Sequence, residues 1–138
     1  MIHEEICTYE VCKLAKEKGF NCKVYNYYQA TKHYYETLRG IELHSVCCKL
    51  ETDDCYSRYN KGSEGVVSAP TQSLLQRWLR EEKNVHIEII ATACGYFWIA
   101  DKTNGTAIIN RGTNDGSCFD TFELALEDAL KYALENLV

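Results

Sequence analysis

Ser68-Ala69-Pro70-Thr71-Gln72-Ser73-Leu74-Leu75-Gln76-Arg77-Trp78-Leu79 leads into Val85-His86-Ile87-Glu88-Ile89-Ile90, then Gly95-Tyr96-Phe97-Trp98-Ile99 and Asn104-Gly105. This stretch decides the fold, because its hydrophobic period changes from helical to alternating within a few residues. Leu74, Leu75, Trp78 and Leu79 form one stripe of a helix from about Thr71 to Lys83, with Gln76, Arg77, Arg80 and Glu81 pointing away from it. Two caps compete for its start: Ser68, with Pro70 inside the first turn, or Thr71. In Val85–Ala91, apolar Val85, Ile87 and Ile89 alternate with His86 and Glu88, as in a half-buried strand. Tyr96–Lys102 is apolar on both faces and suits the central strand of three. Asn104-Gly105 before Thr106–Asn110 has the residues of a tight hairpin turn, in which both central positions need positive φ.

The flanks are consistent with this frame. Ile6, Cys7, Val11, Leu14 and Ala15 give Glu4–Lys18 a helical stripe that Gly19 would end. At the other end, Asp120 and Glu123 have capping-box spacing, and Phe122, Ala125, Leu126, Ala129, Leu130, Ala133, Leu134 and Leu137 line one helix face. Between them Phe20–Val67 is less regular, with possible strands at Cys22–Tyr25 and Ile41–Leu50 and a short helix or loop at Gln29–Leu38. The expected fold is a single α+β domain in which a three-stranded antiparallel meander, with possible first-half strands, packs on two or three helices. At 138 residues the chain fits one domain with a sizeable core.

Composition narrows the function. The net charge of −5 argues against a general phosphate-binding surface. Met1-Ile2-His3-Glu4-Glu5 lacks the basic and apolar regions of a signal peptide, and Ile89–Ala100 is well short of the ~20 apolar residues that span a bilayer. The expected setting is cytoplasmic, where most of the eight cysteines would be buried thiols, metal ligands or catalytic groups and seldom disulfides.

His44, Cys47, Cys48 and Cys55 are the candidate metal or thiol cluster, since zinc takes four thiolate or imidazole ligands with paired spacing. Against this, adjacent Cys47 and Cys48 face opposite sides of a strand, and the chain has no Cys-x-x-Cys pair. Buried free thiols are the ordinary alternative. No signature of a cysteine nucleophile surrounds His3, His33, His44 or His86, and no glycine-rich phosphate loop is present. No cofactor is expected. The carboxylate pairs Asp53-Asp54, Glu81-Glu82 and Glu127-Asp128 read as solvated charge.

The strongest binding hint is tyrosine. Tyr25, Tyr27, Tyr28, Tyr34, Tyr35, Tyr56 and Tyr59 put seven of ten tyrosines in one segment. Tyrosine supplies rigid contact area with a polar tip and is enriched at recognition surfaces, although some of these would simply be core residues. Nucleic acid is a poorer match, because Lys32, Arg39, Lys49 and Arg58 are balanced by Glu36, Glu42, Glu51, Asp53 and Asp54. A third reading takes the acids of the last helix, Asp120, Glu123, Glu127, Asp128 and Glu135, as a nucleic-acid mimic.

Ser68-Ala69-Pro70-Thr71-Gln72, Trp78-Leu79-Arg80-Glu81, Val85-His86-Ile87-Glu88 and Thr121-Phe122-Glu123-Leu124-Ala125-Leu126, with Lys16-Glu17-Lys18-Gly19-Phe20, resemble a group of small proteins carried by prophages and other mobile elements of gut bacteria. The resemblance implies a genomic setting and no site residue. The combined expectation is a non-enzymatic accessory protein that binds another protein, with a homodimer as one arrangement.

Overall fold

The computed structural model describes residues 2–30, 41–45, 66–102, 108–111 and 118–138. These form an α+β structure with three helices and two small antiparallel sheets, and the chain divides into two compact units.

In the unit Ile6–Pro70, the first helix is α1 (Tyr9–Glu17). It begins later than the stripe from Glu4 suggests. Thr8 is in extended backbone and its side chain accepts from the Val11 N–H at 3.4 Å, while Cys7 N–H is already committed to Pro70 C=O at 3.0 Å. A hydroxyl that caps the helix outweighs two glutamates upstream that merely tolerate it. Gly19 ends the helix at φ +92, and Phe20 N–H turns back to Ala15 C=O at 2.9 Å.

Strands β1 (Asn26–Ala30), β2 (Ile41–Ser45) and β3 (Val66–Ser68) make the sheet of this unit in the order β2-β1-β3. The first strand therefore lies after Cys22–Tyr25, which has no regular structure. Ser68 belongs to β3 and does not cap a helix. Helix α1 packs on β3, and Lys16 Nζ donates to Val66 C=O at 2.9 Å. Val11, Cys12, Ala15, Phe20, Val24 and Val67 are buried here.

The second unit comprises Met1–Glu5 and Thr71–Val138. Helix α2 (Gln72–Glu82) is capped by Thr71, whose hydroxyl accepts from Leu74 N–H at 3.3 Å, so Pro70 lies outside it. Asn84 takes φ 56, a left-handed turn that asparagine tolerates, and delivers the chain into β4 (Val85–Thr92). Strand β5 (Gly95–Lys102) pairs with β4 across the Ala93-Cys94 turn, and β6 (Ile108–Arg111) pairs with β5, in the order β4-β5-β6. The Asn104-Gly105 turn lies outside the described residues.

Helix α3 (Phe122–Asn136) packs on β4, β5 and α2, and α2 packs on β4. Val85, Ile87, Trp98 and Ala100 are buried, whereas His86 and Glu88 are exposed. Leu126, Leu130 and Leu134 are buried on α3, each worth about 1.5–3 kcal/mol of transfer free energy. Two expectations for α3 fail. Thr121, not Asp120, is its cap, accepting from Leu124 N–H at 3.1 Å, and Phe122 is 43% exposed. At the first helical position Phe122 reaches only the start of β5, where its ring meets Tyr96 edge-on at 6.2 Å.

Gly95 is a packing requirement. It has φ +136, and a Cβ there would lie 2.4 Å from Phe119 C=O, the carbonyl that accepts from Tyr96 N–H at 2.8 Å. Gly95→Ala therefore forces the bridge between Tyr96 and Phe119 apart. The expected loss is about 1–3 kcal/mol in urea unfolding, and an unchanged midpoint would contradict the close approach.

Candidate interaction ledge on the β2 edge

The tyrosine segment is described at three positions. Tyr25 is 60% exposed and precedes β1. Tyr27 and Tyr28 are consecutive in β1 and so point to opposite faces of the sheet. Tyr28 lies on the α1 side: its ring meets Tyr9 of α1 edge-on at 5.7 Å and its hydroxyl donates to Cys7 C=O at 2.7 Å. That hydrogen bond meets the polar tip's need for a partner while leaving the ring half-buried. Tyr34, Tyr35, Tyr56 and Tyr59 lie outside the described residues.

Leu43 of β2 stands directly opposite Tyr28 in the register. Residues so paired share a face, with Cβ atoms about 4.5–5.5 Å apart. Helix α1 covers the sheet on the β3 side, so β2, at the opposite edge, keeps Leu43 47% exposed. Tyr9, Tyr28 and Leu43 thus make a short apolar ledge rising from the edge strand toward the helix. Among the described residues β2 has a strand on one side only, its neighbour β1.

Two of the three ledge residues were not singled out in the sequence. Tyr9 is outside the tyrosine-dense segment, and Leu43 reads as one apolar position in an alternating strand. The cross-strand register joins Leu43 to Tyr28, and a ring contact joins Tyr9 to it.

The other candidates fare differently. His44 pairs with Tyr27 in the β1–β2 register, while Cys47, Cys48 and Cys55 lie outside the described residues. Among the described residues no group of three or more His, Cys, Asp or Glu side chains is placed to hold a metal ion. The acidic face of α3 is partly committed to the fold. Glu127 Oε2 accepts from Gln72 Nε2 at 2.8 Å, and Asp128 Oδ2 accepts from the Trp98 indole N–H at 2.9 Å. Gln76 also departs from expectation: it reaches β4 and donates to Ile87 C=O at 3.0 Å. Among the described residues no helix is long and apolar enough to cross a membrane.

Neither protein-family models, curated proteins nor solved structures give a match to this chain.

Two substitutions separate support from surface within the ledge. Tyr28→Phe removes the donor to Cys7 C=O and should cost about 0.5–1.5 kcal/mol in a denaturant melt. Leu43→Ser removes an exposed side chain and should stay within about 0.5 kcal/mol of the wild type. The reverse order of effects would mean that Leu43 is a core residue and the ledge does not exist.

Proposed function

We propose that this chain is a non-enzymatic protein-interaction module, and that it grips an extended segment of its partner along β2. The observation that carries this reading is the 47% exposure of Leu43 directly opposite a Tyr28 already held against Tyr9. A lone exposed leucine is ordinary, but one set beside two fixed aromatic rings is an anchor point. An edge strand adds main-chain hydrogen bonding, which gives affinity to an added strand while side-chain pockets give selectivity. The matching ligand is therefore an extended peptide with an apolar side chain on the face that meets the ledge.

An accessory role in a mobile element belongs to the same reading and rests on the sequence resemblance described above. The acidic-mimic alternative is weakened because Glu127 and Asp128 hold internal partners. Tyr25, 60% exposed, provides further recognition area next to β1.

Immobilised full-length protein, incubated with lysate of the source cell, should retain a partner in near-stoichiometric amount. Leu43→Asp should reduce that retention at least about tenfold, since a charge replaces an anchor worth more than ~1.4 kcal/mol. Circular dichroism and the melting temperature of the variant should match the wild type. Equal retention by both proteins, or none above bare matrix, would refute the proposal.

A further inference from the structure

The tip of the β4–β5 hairpin brings two cysteines to one hydroxyl. Thr92 Oγ1 lies 3.5 Å from Cys118 Sγ and accepts from the backbone N–H of Cys94 at 3.2 Å. Cys118 is close to the residue after Cys94 as well: a Cβ built on Gly95 would stand 3.1 Å from the Cys118 Cβ. Both thiols are free, Cys94 is exposed and Cys118 is half-buried. Cys7 and Cys12, by contrast, are wholly buried and Cys12 Sγ is engaged with Cys7 C=O.

We infer that Cys94 and Cys118 are a reversible dithiol–disulfide pair that locks the hairpin tip to the segment leading into α3. A disulfide needs Cβ atoms about 3.5–4.5 Å apart. Ala93 and Cys94 form an exposed two-residue turn, so a new Cys94 rotamer and a shift of the turn are the movements that bring the sulfurs together. The bridge between Tyr96 and Phe119 keeps the Cys118 backbone in place while this happens.

Oxidised glutathione is the co-reactant. The exposed Cys94 thiolate attacks one sulfur of the glutathione disulfide, giving a mixed disulfide and releasing one glutathione thiolate. Cys118 thiolate then attacks Cys94 Sγ, the new protein disulfide forms, and the second glutathione leaves as thiolate. Two protein thiols are oxidised and one glutathione disulfide is reduced to two thiols, the two protons passing from the protein thiols through solvent to the glutathione thiolates. The closed loop holds β5 and β6.

The test is peptide mapping of the full-length protein after exposure to oxidised glutathione, without reductant. The expected product is a linked Cys94–Cys118 peptide that dithiothreitol reverses. Cys118→Ser should stop at a glutathione adduct on Cys94, and Cys94→Ser should give no link. The melting temperature of the oxidised wild type should rise by roughly 5–15 °C, as for a disulfide closing a loop of this size. A wild type that accumulates only glutathione adducts, links Cys94 to a different cysteine, or does not react would overturn the inference. None of these readouts depends on a partner, so the disulfide and the interaction ledge stand or fall separately.

Discussion

The Trp98 indole is the group on which the second unit depends. It is almost wholly buried in the centre of β5, and its N–H cannot be left without a partner at that depth. Asp128 accepts that hydrogen at 2.9 Å, and Tyr132, one helical turn further on, places its ring 5.0 Å from the indole. Two positions four apart on α3 therefore grip one side chain, which fixes the rotation of the helix about its axis. The Ala125, Ala129 and Ala133 positions then let α3 approach the sheet closely, and the three leucines fill the remaining space. Gln72 adds a second tie to α3 through the Glu123 carbonyl and the Glu127 carboxylate.

The unit Ile6–Pro70 solves the same problem with less material. A short helix covers the β3 side of a three-stranded sheet, and Tyr28 is the piece that fastens β1 to the segment before the helix. Among the described residues β2 has a single strand neighbour, and Leu43 on it is exposed. In the second unit the long α3 crosses both β4 and β5 and their shared face is closed.

Much of the second unit is legible in the sequence, because period and burial agree there. Val85 and Ile87 alternate with His86 and Glu88, the alanines and leucines of α3 repeat at helical spacing, and the structure buries these residues, though Ile89 is only half-buried and Phe122 is exposed. Helix starts are less legible. Thr8 and Thr121 cap helices whose acidic neighbours read as the start, and Thr71 is the one of the two competing caps that the structure selects over Ser68. Capping depends on where the backbone becomes extended, which tertiary hydrogen bonds such as Cys7 N–H to Pro70 C=O decide. The ledge is less legible still. Tyr9, Tyr28 and Leu43 are far apart in sequence; a helix-to-sheet ring contact brings Tyr9 to Tyr28, and a strand register that no local pattern encodes sets Leu43 opposite it.

The central claim is that the β2 edge and its ledge receive an extended chain. Amide hydrogen exchange of the full-length protein, with and without its captured partner, addresses that claim most directly. The account requires protection to rise at alternate amides of Ile41–Ser45, those pointing away from β1, with only small changes in α3. Unchanged exchange across β2 on a saturated complex, or protection confined to another surface, would contradict it.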